Sequence, residues 1–214
     1  EASCMERTKK RYRHVSNVLL LTLIGLLYLT TSYPGVRSVM GGLYPGPVYR
    51  GNGADKVSLQ CVVEWNAAAL PSMLDTLQEQ GTAITFCVSG AWARENGDLL
   101  RRMAEDGHEL AVTGMQPRLD GDAAWVAQDV SLALAAVKEI TGSTPAIYYS
   151  GSRDVAASGT AARELELTQV LCTVDLLCAR GGALDILNRA LDGAYDGSIM
   201  LMQPTGAAAA ALPA

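Results

Sequence analysis

Histidine is almost missing: the 214 residues hold two, His14 and His108. A catalytic transition metal is normally held by imidazole or thiolate, so this shortage already argues against one. The five cysteines do not supply the alternative. Cys4, Cys61, Cys87, Cys172 and Cys178 lack CxxC spacing, and all but Cys4 lie in or near apolar, strand-like runs, where they read as small buried hydrophobes. Whether Cys61, Cys87, Cys172 and Cys178 form a disulfide is open from the sequence. Also missing from the globular part is a basic face interleaved with aromatics, so nucleic acid is not an expected partner.

What charge there is lies unevenly. The net charge is -5, yet Arg7, Lys9, Lys10, Arg11 and Arg13 crowd the N-terminus. Directly after them, VSNVLLLTLIGLLYLTTSY (15–33) contains no charged residue and approaches the roughly 20 residues that span a bilayer as a helix. The reading is a basic cytoplasmic tail over 1–14 and a transmembrane anchor over 15–33, with the cations keeping the N-terminus inside and the following domain outside. A cleaved signal peptide is the other reading of such a start. The apolar run is long for one, and no A-x-A site follows it.

Residues 34–55 are rich in Gly and Pro without helical or alternating period, as a linker is. From Lys56 the pattern turns regular. Short apolar runs (VSLQCVVE, AITFCVSG, HELAVTG, AIYYSG, VLCTVD, SIMLMQ) alternate with amphipathic segments. Leu70, Met73, Leu74 and Leu77 fall at i, i+3, i+4 and i+7, which predicts a helix stopped by Gly81. Leu99, Leu100, Met103 and Ala104 repeat this before Gly107, and a longer version runs from Trp125 to Ile140 ahead of Gly142. The strands are continuous apolar runs, as in a parallel sheet covered by helices. Six such repeats predict an α/β domain over 56–214, either barrel or doubly wound. PTGAAAAALPA at the end reads as one more repeat cut short.

Taken together, KVSLQCVVEWNAAALPSMLDTLQEQGTAITFCVSGAWARENGDLLRRMAEDGHEL, TGSTPAIYYSGS, VLCTVDLL and DGSIMLMQPT resemble, in order and spacing, a polysaccharide deacetylase (NodB-homology) domain over about residues 56–205. The likeness is to membrane-anchored members from sporulating Gram-positive bacteria. It implies a distorted, incomplete TIM-like (β/α) barrel of about seven strands. It also implies removal of acetyl groups from N-acetylated sugars of peptidoglycan or chitin-like polymers. That reaction uses a divalent metal such as zinc, held by one Asp and two His, with an Asp as base and a His as acid.

Position by position, those groups are replaced. The base falls on Val62 and the neighbouring metal Asp on Val63, with Glu64 one residue on. The H-x-x-x-H motif falls on Thr113 to Pro117, with Pro117, or Gln116 after a one-residue gap, in place of the second histidine. R-P-P-Y falls on Tyr149, Ser150, Gly151 and Ser152, which removes its Arg. The strand VDLLC keeps Asp175 but has Cys178 where a second Asp often stands. L-M-H becomes LMQ, with Gln203 at the acid. The resemblance therefore carries the fold but no intact catalytic set and no metal ligands, and no cofactor is expected. Glu64 and Asp175 remain as weak catalytic candidates, and Trp65, Thr113, Tyr149 and Gln203 as candidates for lining a substrate groove. His108 and Trp92 read as packing residues.

The leading expectation is a catalytically inactive envelope protein of this fold that binds cell-wall glycan or acts as a scaffold. Two alternatives stand beside it: a deacetylase with a rebuilt site around Glu64 and Asp175, and a protein-interaction subunit without sugar binding.

Overall fold

Seven parallel strands make one sheet in the order β5-β4-β3-β2-β1-β7-β6. They are β1 (Ser58–Val63), β2 (Thr85–Ser89), β3 (Glu109–Gly114), β4 (Ile147–Tyr149), β5 (Thr168–Val170), β6 (Val174–Asp175) and β7 (Ile199–Met202). The structure, a computed structural model, describes residues 17, 19–24, 46–65 and 68–214. Laid flat, seven strands would hold the two edges roughly 29 Å apart, six spacings of about 4.8 Å. Val170 ends one edge and Val174 opens the other, and four Cα steps reach at most about 14 Å. The sheet must therefore curl, which decides for a partial barrel over a doubly wound sheet.

The run VLCTVD, read from the sequence as one strand, is in fact split between β5 and β6 at opposite edges. Leu171, Cys172 and Thr173 cross the gap between them. The chain ahead of β1 reinforces this crossing. Val48 N–H donates to the Gln169 carbonyl (2.8 Å), and Leu171 N–H donates back to Val48 (2.9 Å). Gly51 N–H donates to the Gly197 carbonyl (2.7 Å), and the Thr173 hydroxyl donates to the Tyr49 carbonyl. The compact unit accordingly starts at Pro47, so residues 47–55, the end of the stretch read as a linker, belong to it. Gly197 is fixed by this contact. Its φ is +73°, and a Cβ there would lie 2.1 Å from the Gly51 carbonyl oxygen.

Helices cover the outside of the curl. Residues 70–79 form α1 (Leu70–Glu79), which buries Leu70, Met73, Leu74 and Leu77 as their spacing predicts; each stabilises by roughly 1.5–3 kcal/mol. Pro71 sits in its first turn, where no N–H is needed. Next come α2 (Gly90–Glu95) and α3 (Gly97–Glu105), which bury Trp92, Leu100 and Met103. The long α4 (Ala123–Thr141) begins at Asp122, whose carboxylate accepts from Trp125 N–H, and ends at Gly142 in the left-handed conformation. Then follow α5 (Val155–Glu164), α6 (Ala183–Asp192) and the short α7 (Gly206–Ala211), capped by Thr205. The closing PTGAAAAALPA thus does form a helical turn, tied to α1 where the Gln80 amide donates to the Pro213 carbonyl.

His108 and Trp92 pack as the sequence suggests. His108 Nδ1 accepts from Ile84 N–H (3.3 Å), and its ring meets Phe86 edge-on. Cys61, Cys87 and Cys178 are buried free thiols, and Cys172 is half-buried and free. Burial pushes all four thiols up from their ordinary range.

Residues 19–24 are helical and exposed. Most of the apolar run 15–33, with Cys4 and His14, lies outside the described residues. Among those described, no helix is long and apolar enough to cross a membrane.

Candidate functional site

Side chains on a strand alternate, so the last residues of β1 point two ways. Val63 is buried in the core under the helices, while Val62 faces a cavity of about 510 Å³ at the C-terminal ends of the strands. Active sites of parallel α/β barrels lie at that end. The same cavity is lined by Glu64 and Trp65 after β1, Tyr149 at the end of β4, Asp175 at the end of β6, and Gln203 after β7. Five of the six residues singled out from the sequence thus meet in one place, although they are spread over almost 140 positions of the chain.

Thr113 does not join them. It is the last residue but one of β3, at 1% exposure and outside the cavity lining, and its hydroxyl has no partner among the described residues. The expectation that it lines the groove is corrected, since the cavity lining leaves it out; the loop that follows β3 is held by a buried ion pair that the sequence reading missed. Arg153 is 3% exposed and pairs with Asp129 of α4 at 2.5 Å. The same guanidinium donates to the carbonyls of Gln116 (2.7 Å) and Leu119 (3.0 Å), while the other Asp129 oxygen accepts from Gln116 N–H (2.9 Å). Gly114 has φ +106°, and a Cβ there would stand 2.3 Å from the Asp129 carboxylate. The segment that would carry two histidines is therefore clamped from below. One signal was available in the sequence: Asp129 falls on the same helical stripe as Val126, Val130, Ala133 and Val137, and a carboxylate on a buried stripe needs a cation.

The mouth of the cavity carries a second charged group. Arg118, from the loop after β3, places its guanidinium 3.1 Å from the centre of the Trp65 ring, a cation–π contact. Its Nε is 3.8 Å from a Glu64 carboxylate oxygen. Burial pushes the Glu64 carboxyl above its ordinary range, and Arg118 and Arg153 pull it back in part. Asp175 uses one oxygen to accept from Leu177 N–H (2.8 Å). This hydrogen bond holds the left-handed turn at Leu177, with φ +49°, while Asp175 lines the cavity. Burial also raises the Tyr149 phenol, with Cys172, Cys87, Asp175 and Glu64 adding to the effect. That phenol stays protonated and can donate.

The donor set does not suit a zinc-type ion. Val62 and Val63 offer no atom, Pro117 and Gln203 are poor ligands, and the Thr113 hydroxyl is buried off the cavity. Among the described residues, no three His, Cys, Asp or Glu side chains come together as a metal ion requires. His108 cannot supply an acid or base here, since it precedes β3 at the opposite end of the strand. What remains is an aromatic face, two carboxylates, a phenol and an amide around a hollow. Such a group of side chains can hold a polyhydroxylated ring, with the aromatic face stacking on it and the polar groups fixing its orientation.

Comparison with known proteins agrees with this architecture. Among curated proteins, the uncharacterized protein YlxY of Bacillus subtilis (strain 168) is 30% identical over 179 residues, covering 80% of this chain and 56% of that protein. The chain thus spans just over half of that relative's length. A chitooligosaccharide deacetylase of Sinorhizobium fredii (strain NBRC 101917 / NGR234) is 41% identical over 61 residues, 28% of each chain. Among solved structures, the wild-type CE4 family pseudoenzyme BA3943 of Bacillus anthracis is similar with a TM-score of 0.75 and 22% identity, covering 79% of this chain and 62% of that one. That likeness is one of fold. The family model for polysaccharide deacetylase matches residues 56–170, more than half of the chain. The curled seven-strand sheet and the matched sequence lead to one conclusion: the chain belongs to the polysaccharide deacetylase family.

Proposed function

We propose that this protein keeps the deacetylase fold as a glycan-binding module of the cell envelope and does not hydrolyse its ligand. One observation carries the reading. The cavity has Val62 and Gln203 at the positions of the base and the acid, so neither proton of an amide hydrolysis has a carrier there. An aromatic and polar lining of the kind that suits a sugar ring is nevertheless present. The pseudoenzyme character of the B. anthracis neighbour supports the same reading. The basic run and the apolar stretch 15–33 support attachment to the membrane with the domain outside. Fractionation of cells expressing the tagged chain tests that attachment, and recovery in the soluble cytoplasm refutes it.

A second reading, a deacetylase rebuilt around Glu64 and Asp175, draws on the raised Glu64 carboxyl, since a carboxylate tuned upward suits a general base. One experiment decides between them. Purified protein is incubated with N-acetylglucosamine oligomers and with peptidoglycan in the presence of zinc, cobalt or manganese, and acetate release is measured beside equilibrium binding. Saturable binding without acetate is the expected result. Metal-dependent release that disappears in Glu64→Ala or Asp175→Ala overturns the proposal in favour of the rebuilt site.

A further inference from the structure

The charges around the cavity do not balance. Its lining holds two carboxylates, Glu64 and Asp175, against one guanidinium, Arg118. That guanidinium is split between the Trp65 face and a Glu64 oxygen at 3.8 Å, a separation longer than a charge-assisted hydrogen bond. Asp175 takes part in no ion pair among the described residues. The Arg153 guanidinium is used up by Asp129 and by the backbone of the loop after β3. In a metal-dependent site such carboxylate charge would be answered by the ion, but here the donor set does not suit one. Arg118 on Trp65 shows what the site accepts: a cation resting on an aromatic ring and facing a carboxylate.

Of the two states of an aminosugar, one fits this arrangement. An N-acetylated unit brings a neutral amide, whose single N–H can meet only one of the two carboxylates and answers the charge of neither. A unit with a free amine brings an ammonium with three donors. Resting on the reading that the cavity binds glycan, we propose that its ligand is the already deacetylated sugar. A glucosamine-type ammonium lies between Glu64 and Asp175, the pyranose ring stacks on Trp65, and Arg118 swings into solvent to make room. Glu64 sits at 22% side-chain exposure, where a hydrogen-bonded cation is worth far more than at the open surface. Arg118, at 69%, is free to leave. The module would then recognise the product of deacetylation carried out elsewhere.

The test is calorimetric titration of the full chain with two ligands of equal length, a glucosamine oligomer and its fully N-acetylated counterpart. The free-amine oligomer is expected to bind roughly tenfold tighter or more. Glu64→Gln with Asp175→Asn is expected to abolish that preference, so that the two oligomers bind with the same affinity. Arg118→Ala is expected to raise affinity for the free amine, because the competing guanidinium is gone. Since both ligands are measured on each variant, the ratio is protected against partial loss of folded protein. Equal affinity, or tighter binding of the N-acetylated form, overturns the inference and leaves the glycan-binding reading standing. A preference that survives in the double variant also overturns it, as it would come from general attraction of a polycation to an acidic protein. Binding of neither oligomer sinks both readings.

Discussion

Replacing Asp129 by Ala should be among the most damaging single changes in the barrel. The Arg153–Asp129 pair has side chains 1% and 7% exposed, so Asp129→Ala strands a guanidinium where water cannot reach it. Breaking a buried pair from one side costs about 3–5 kcal/mol, whereas an exposed pair contributes at most about 1 kcal/mol. The Gln116 N–H loses its acceptor in the same change, which adds to the loss. Arg153→Met should cost less, since the remaining Asp129 still accepts from Gln116 N–H. The double change Asp129→Ala with Arg153→Met should recover part of the loss, because it removes both charges together. Urea unfolding followed by circular dichroism measures all four proteins, and a double-mutant cycle extracts the coupling. A loss below about 1 kcal/mol for Asp129→Ala would place the pair in the surface regime and refute the claim that it clamps the loop after β3.

Three further outcomes follow from individual atoms. Gly197→Ala puts a Cβ 2.1 Å from a backbone oxygen of Gly51 at φ +73°; neither side can yield cheaply, so the thermal midpoint should fall by several degrees, and an unchanged midpoint would show that residues 47–51 do not brace the barrel. Thr113→Val removes a buried hydroxyl without a partner and should stabilise by about 1 kcal/mol in the same urea assay; a loss would mean that the hydroxyl is satisfied. His108 has its pKa lowered, first by burial, with Arg102 adding and Asp106 opposing. The unfolded chain therefore binds the proton more readily, and stability should fall as pH drops below the unfolded value of about 6.5. The decline should level off below the folded pKa and flatten in His108→Gln; an unchanged slope in that variant would assign it to carboxylates instead.

The helices were legible in the sequence because burial repeats along them. Leu70, Met73, Leu74 and Leu77 and the residues from Val126 to Val137 announce their faces by spacing alone. The cavity was legible by another route, as positions in a family pattern whose residues had changed, and Glu64, Trp65, Tyr149, Asp175 and Gln203 do converge. What stayed hidden depends on distances across the chain. That VLCTVD divides between the two edges follows from sheet curvature, which no local pattern encodes. Residues 47–51 look like a linker because their bonds to Gln169, Leu171 and Gly197 are backbone bonds, independent of side-chain type. Thr113 was misplaced for a related reason. Its depth in the curled sheet, like the Arg153–Asp129 clamp between partners 24 residues apart, is set by packing across the chain and not by local pattern.

The alternation along β1 separates the position that faces the cavity from those that build the barrel. Val63 and Cys61 face the helices and are fully buried, while Val62 faces the cavity. Valine at the cavity position suits an extended strand better than the aspartate expected there, and it spares the fold a carboxylate that would need a metal or a cation. The same holds after β7, where Gln203 can hydrogen-bond without titrating. Val62 and Gln203 both lie outside the core formed by α1, α4 and the outward faces of the strands, whereas Val63 belongs to that core. Glu64 and Asp175, by contrast, leave two carboxyl groups in the cavity, and on the proposed reading, in which nothing is hydrolysed, a cationic ligand gives both of them a partner.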